Sequence, residues 1–116
     1  MVSCEILHYD ELIQKGTIFP HLFGIVIAPA ATIGNNCRIY QNVTIGAKDV
    51  ATGHGDPAFY PKIGNNVTIY AGAVIIGHIR IGDNAIIGAN SVVTKDVPAN
   101  ATAVGIPAKI VSETTV

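Results

Sequence analysis

The chain has no tryptophan, one methionine, 6% aromatic residues and only 13% charged residues over its 116 positions. An ordinary soluble domain carries about 25% charged residues. Seven Lys and Arg nearly balance eight Asp and Glu, for a formal charge of −1. That near balance excludes the basic footprint of a nucleic-acid binder and the polybasic patch of a protein held at anionic lipid. The longest apolar stretch lies near Phe23–Ala31, short of the roughly 18 residues that a membrane-spanning helix needs. Residues 1–12 have no cationic start followed by an apolar block, so no export signal is expected. Cys4 and Cys37 then read as reduced thiols, and the cytoplasm is the expected compartment. Mean hydropathy is nevertheless +0.44. One domain with one modest core is expected from this length, greasy enough to suggest burial against copies of itself.

Leucine is also scarce: three Leu stand against 18 Ile and 12 Val. β-branched side chains favour extended backbone over helix. Stepping by six from Ile27 meets Ile33, Ile39 and Ile45, then Ile63, Ile69, Ile75, Ile81, Ile87 and Val93. Gly follows the aliphatic at 34, 46, 64, 82 and 88, and Asn stands three places after it at 36, 42, 66, 84 and 90. Four places after it comes a smaller residue: Ala31, Cys37, Val43, Val67, Ala73, Ala85, Ser91, Val97 and Ala103. Gly and Asn tolerate left-handed backbone at tight corners. Each hexad therefore reads as a short strand plus a turn that cannot bury its own aliphatic until coils stack about 4.8 Å apart. The predicted fold is all-β, a parallel β-helix; a β-sandwich would show period-two alternation instead.

The single domain 1–116 divides into an irregular first coil or cap (1–20), a β-helix (21–105) and a C-terminal tail (106–116). Within the β-helix, Ala47–Lys62 breaks the pattern with two Gly, two Pro and no aliphatic at 51 or 57. An extruded loop over about 47–62 is predicted there, and solenoids place chemistry on such loops. Val74, Ile76, Ile86 and Val92 fall in outward-facing columns, which argues for cover by another subunit.

Four pieces carry a family resemblance: PHLFGIVI (20–27), QNVTIGA (41–47), YPKIGNNVTIYAGAVIIG (60–77) and IGANSVVTKDVPANATAVGIPAKIV (87–111). In this order they resemble the hexapeptide-repeat acyltransferases, above all the serine O-acetyltransferases. The resemblance implies a left-handed β-helix, a homotrimer with its site between two prisms, acetyl-CoA as co-substrate, no metal, and a small-molecule acceptor.

Acetyl transfer to a hydroxyl needs a base for the hydroxyl proton and donors for the carbonyl oxygen; imidazole suits the first role near neutral pH. His21 stands in a frame position where later coils carry Ile, and such violations are where function is expected. It also matches the family's catalytic histidine in His-x-x-Gly-Ile-Val, although a cap histidine would look the same. For the carboxylate that orients it, the resemblance points to Glu5, with Asp10 and Glu11 as alternatives. It places the pantetheine arm at Ala71 and Ala89 and the nucleotide phosphates near Thr94, Lys95 and Lys109, where cations are favourable. His54, Asp56 and Tyr60 are candidates for the acceptor side. His78 reads as an exposed corner, and His8 has no assignment.

Three departures concern the acceptor. The 116 residues hold no counterpart of the family's helical N-terminal domain, Pro20 replaces an acidic residue, and Tyr60 replaces a histidine. L-serine leads, with a sugar hydroxyl on a nucleotide sugar or polysaccharide precursor as competitor. A carbonic anhydrase of this fold would need metal ligands at Ala71 and Ile76, which cannot ligate. A non-catalytic scaffold is the remaining alternative.

Overall fold

A computed structural model of the chain describes residues 4–48 and 56–113. The elements run β1 (Glu5–Ile6), α1 (Tyr9–Gln14), β2 (Val26–Ile27), β3 (Thr32–Ile33), β4 (Arg38–Ile39) and β5 (Thr44–Gly46). After the loop come β6 (Lys62–Ile63), β7 (Thr68–Ile69), β8 (Val74–Ile76), β9 (Arg80–Ile81), β10 (Ile86–Ile87) and β11 (Val92–Val93). β12 (Ala101–Gly105) and β13 (Ala108–Glu113) close the chain. They form three sheets: β1-β2-β5-β8-β11, β3-β6-β9 and β4-β7-β10-β12-β13. Successive strands visit the first, second and third sheet in turn, and all pairs but β12–β13 are parallel. The result is a triangular prism.

Its interior is the six-residue column. Ile27, Ile33, Ile39, Ile45, Ile63, Ile69, Ile75, Ile81, Ile87 and Val93 are all buried, and Cys37, Val43, Val67, Ala73, Ala85 and Ser91 are fully buried beside them. Asn36, Asn42, Asn66, Asn84 and Asn90 turn the corners with φ between 58° and 63°, the left-handed backbone that Asn tolerates.

Coil length departs from eighteen residues at three corners, and at two of them the hexad clock slips. Ile33 pairs with Ile63, so the segment through 47–62 is a twelve-residue insertion at one corner between the first and second sheets. Val97 bridges to Ile81 and Ala103 pairs with Ile87. These two residues therefore continue the large-aliphatic column, not the small one where the unbroken clock puts them, because the corner after Val93 is two residues short. At the other end Ile18 bridges to Arg38, which sets Phe19 beside Ile39 and packs it on the core. His21 consequently does not occupy an aliphatic slot; the slot belongs to Phe19, and the corner that follows is two residues longer than its counterparts.

In the first coil α1 takes the place of a second-sheet strand and buries Leu12 at the end of the core. Asp10 and Glu11 in its first turn suit the helix dipole, and Lys15 Nζ donates to the Ile33 carbonyl at 2.9 Å. The segment expected as a tail instead folds back: β13 pairs antiparallel with β12 and covers the open end of the third sheet.

The outward columns differ in chemistry. The second sheet shows Thr32, Lys62 and Arg80, all exposed, whereas the first shows Val26, Thr44, Val74 and Val92, with Glu5 at its end. No helix among the described residues is long and apolar enough to cross a membrane.

Candidate active site

The corner from the third sheet to the first repeats up the prism as Phe23-Gly24, Gln41-Asn42, Ala71-Gly72 and Ala89-Asn90. Backbone hydrogen bonds tie each to the next: Asn42 N–H donates to the Phe23 carbonyl at 2.8 Å, Gly72 to Gln41 at 3.0 Å and Asn90 to Ala71 at 2.9 Å. These residues form one straight edge with rungs about 4.8 Å apart.

His21 projects from the lowest rung. The two extra residues of its corner throw it outward, and a tight turn in which Phe23 N–H donates to the His21 carbonyl at 2.8 Å closes the bulge. Gly24, at φ +64°, returns the chain to the sheet; a Cβ there would run into the Asn42 side chain. His21 is exposed, flanked by the exposed side chains of Leu22 and Phe23. Its ring accepts or donates no hydrogen bond among the described residues, so it is open to a substrate.

Ala71 and Ala89 lie on this same edge, half-buried and exposed respectively. Beside them Tyr40 and Tyr70 stack with centroids 5.0 Å apart. Lys109 pairs with Val104, whose side chain lies against Gly88 on the next rung, so Lys109 marks the far end of the edge. His21, Ala71 and Ala89 are thus brought onto one edge, with Lys109 on the hairpin at its far end.

The other expected residues fall elsewhere. Glu5 is exposed on β1, opposite Val26, and makes no hydrogen bond to His21. Asp10 and Glu11 sit in the first turn of α1, beyond β1. Thr94 and Lys95 lie at the opposite margin of the first sheet. With Lys48, Phe59, Ile76 and His78 they line a groove of about 450 Å³ at the base of the extruded loop. Asp56 serves the backbone, since its Oδ1 accepts the Ala58 N–H at 3.0 Å and caps the short 3-10 turn Pro57–Phe59. Tyr60 is half-buried just after that turn. His54 lies outside the described residues.

Sequence reasoning missed Gln41 on the edge and Lys48 and Phe59 in the groove; His78, read as an exposed corner, is exposed there. Gln41 had a readable signal, since it stands two places after Ile39 as Ala71 does after Ile69 and Ala89 after Ile87.

Residues 60–95 match the family model described as bacterial transferase hexapeptide (six repeats). In that stretch the chain is similar to the hexapeptide-repeat transferases. It is 45% identical over 107 residues to a serine acetyltransferase of Staphylococcus aureus, covering 92% of this chain and 48% of that one. A solved serine acetyltransferase of Neisseria gonorrhoeae superposes with a TM-score of 0.77 at 46% identity, over 84% of this chain and 37% of that one. A second, in complex with CoA, gives 0.72 at 44%, over 82% and 37%. The hexapeptide-repeat prism is a left-handed β-helix like those structures; a coil that winds the other way would not superpose. The chain spans less than half the length of these relatives.

Proposed function

We propose that the hexapeptide-repeat chain is an acetyl-CoA-dependent O-acetyltransferase that transfers acetyl to the hydroxyl of L-serine, with His21 as general base. The carrying observation is the exposed imidazole of His21 at the head of an edge whose next accessible rungs include Ala71 and Ala89. Small side chains there let a slender pantetheine arm lie against the backbone, with Lys109 at its phosphate end. A relative at 44% identity holds CoA.

The neutral imidazole takes the hydroxyl proton as the serine oxygen attacks the thioester carbonyl carbon. The tetrahedral intermediate collapses by breaking the carbon–sulfur bond, and the imidazolium returns the proton to the departing CoA sulfur. Such acid–base assistance contributes about 10²–10⁴-fold.

A homotrimer completes the site. With the apolar outer face of the first sheet turned to a threefold axis, the His21 edge of one prism meets the Lys48–Phe59–Lys95 groove at the other margin of its neighbour. That is a heterologous contact that closes as a ring. Thr94 and Lys95 then reach the donor phosphates from across the interface, and Tyr60 approaches the acceptor. Both cysteines are free, in keeping with a reducing cytoplasm.

Phe59, 43% exposed at the groove, favours a second reading in which the acceptor is a sugar packed on an aromatic face. A CoA-release assay across L-serine, L-homoserine and a panel of sugars decides between them. Release with L-serine supports the first reading, release only with sugars the second, and failure to bind acetyl-CoA leaves a scaffold.

A further inference from the structure

Gln41 carries an unanswered polar atom at the place where the donor arm would pass. Its Oε1 is closed off from solvent and has no hydrogen-bond partner, while the residue as a whole is only half-buried. A buried acceptor left unmatched is destabilising, because it has given up water without gaining a partner. The backbone around it is already committed, with the Gln41 carbonyl accepting from Gly72 and the Asn42 N–H donating to Phe23. The side-chain amide is thus left to meet an outside group.

Its position is specific. On the edge column Ala89, Ala71 and Gln41 occupy successive rungs, and the His21 bulge follows. An arm lying over Ala89 and Ala71 with its sulfur at His21 must cross Gln41. Such an arm contains secondary amides, whose N–H groups are the donors that an orphaned amide oxygen requires. The two neighbouring rungs carry methyl groups, so Gln41 is the first side chain on this edge that can hold the arm in register.

We infer that Gln41 is a positioning residue for the acyl donor: its Oε1 accepts a hydrogen bond from an amide N–H of the pantetheine arm and so sets the thioester opposite His21. This rests on the acetyl-CoA reading given above. The amide can turn about its last side-chain torsion to face outward, and binding relieves the unmatched oxygen.

The test is calorimetric titration of the full chain with CoA, for the wild type and for Gln41→Met, which keeps length and removes both polar atoms. The expected result is a dissociation constant raised about 3- to 10-fold, the range for one neutral hydrogen bond. Oligomeric state and thermal midpoint should be unchanged or slightly improved. In the acetyl-transfer assay KM for acetyl-CoA rises while KM for the acceptor does not, a split that a purely structural role would not produce. CoA affinity within about 2-fold of wild type overturns the inference alone, because Gln41 is then satisfied by water or by a neighbouring subunit. A wild-type chain that binds no CoA overturns the acyltransferase reading and this inference with it. Should Gln41→Met not fold, Gln41→Ala is titrated instead and read by the same criteria.

Discussion

The backbone N–H of Asn42 donates to the Phe23 carbonyl at 2.8 Å, so the widened corner that carries His21 is pinned to the coil above it just past the bulge. A catalytic group gains from such placement, since precision comes from the rigid coil and reach from the bulge. Both the edge and the prism behind it can be probed by substitution.

His21→Ala removes the proposed base and nothing else that the prism needs. Acceptor-dependent release of CoA should fall about 10²- to 10⁴-fold. The side chain is exposed, so stability should stay within about 0.5 kcal/mol of wild type. Full activity in the variant would remove His21 from the mechanism.

Gly24→Val probes the bulge itself. The φ of +64° and the nearby Asn42 side chain make a β-branched residue strained there, at about 1–3 kcal/mol. Urea denaturation should register that loss, and activity should drop further than stability because His21 is displaced with the corner. An unchanged denaturation midpoint would show that the corner adapts.

Val74→Asp places a carboxylate on the outer face of the first sheet, half-buried already in the lone chain. If that face lies on the threefold axis, three charges are buried together at several kcal/mol each. Light scattering should report monomers with intact β-rich circular dichroism. A trimer that survives the substitution would assign the axis to another face.

Cys37 predicts the alkaline limit of stability. Burial pushes its thiol above the ordinary value of 9.0, with backbone contacts at Val67 and Asn66 and the Lys15 ammonium offsetting part of the effect. The folded value exceeds the unfolded one, so this stabilisation is complete below pH 9.0 and is lost as pH rises through the folded value. Unfolding free energy should be flat up to about pH 8 and decline by about pH 10, less steeply in Cys37→Val. Thiol labelling of the native chain should modify half-buried Cys4 well before Cys37. Equal labelling rates would contradict the packed core.

Much of the prism was legible from residue order. An interior that only large β-branched side chains can fill imposes Ile at each step of six, and a corner that must turn left-handed imposes Asn. The departures were not. A corner two residues long or short leaves the composition unaltered, so the sequence could not reveal that Phe19, Val97 and Ala103 belong to the large column. The same slip explains why His21 reads as a residue in a core slot but stands on the surface. Its candidacy as a base rests on the motif around it, not on the frame.

By itself the sequence determined the repeat and its interruption near 47–62, because side-chain chemistry recurs at a constant interval elsewhere and fails there. Only the tertiary structure decided that His21, Gln41, Ala71 and Ala89 share one edge while Thr94 and Lys95 lie across the face from them. Residues 16 to 30 apart in the chain become neighbours one rung apart when coils stack. Which residues meet therefore depends on the accumulated register of every corner between them, a quantity fixed by backbone hydrogen bonds and invisible in any single hexad.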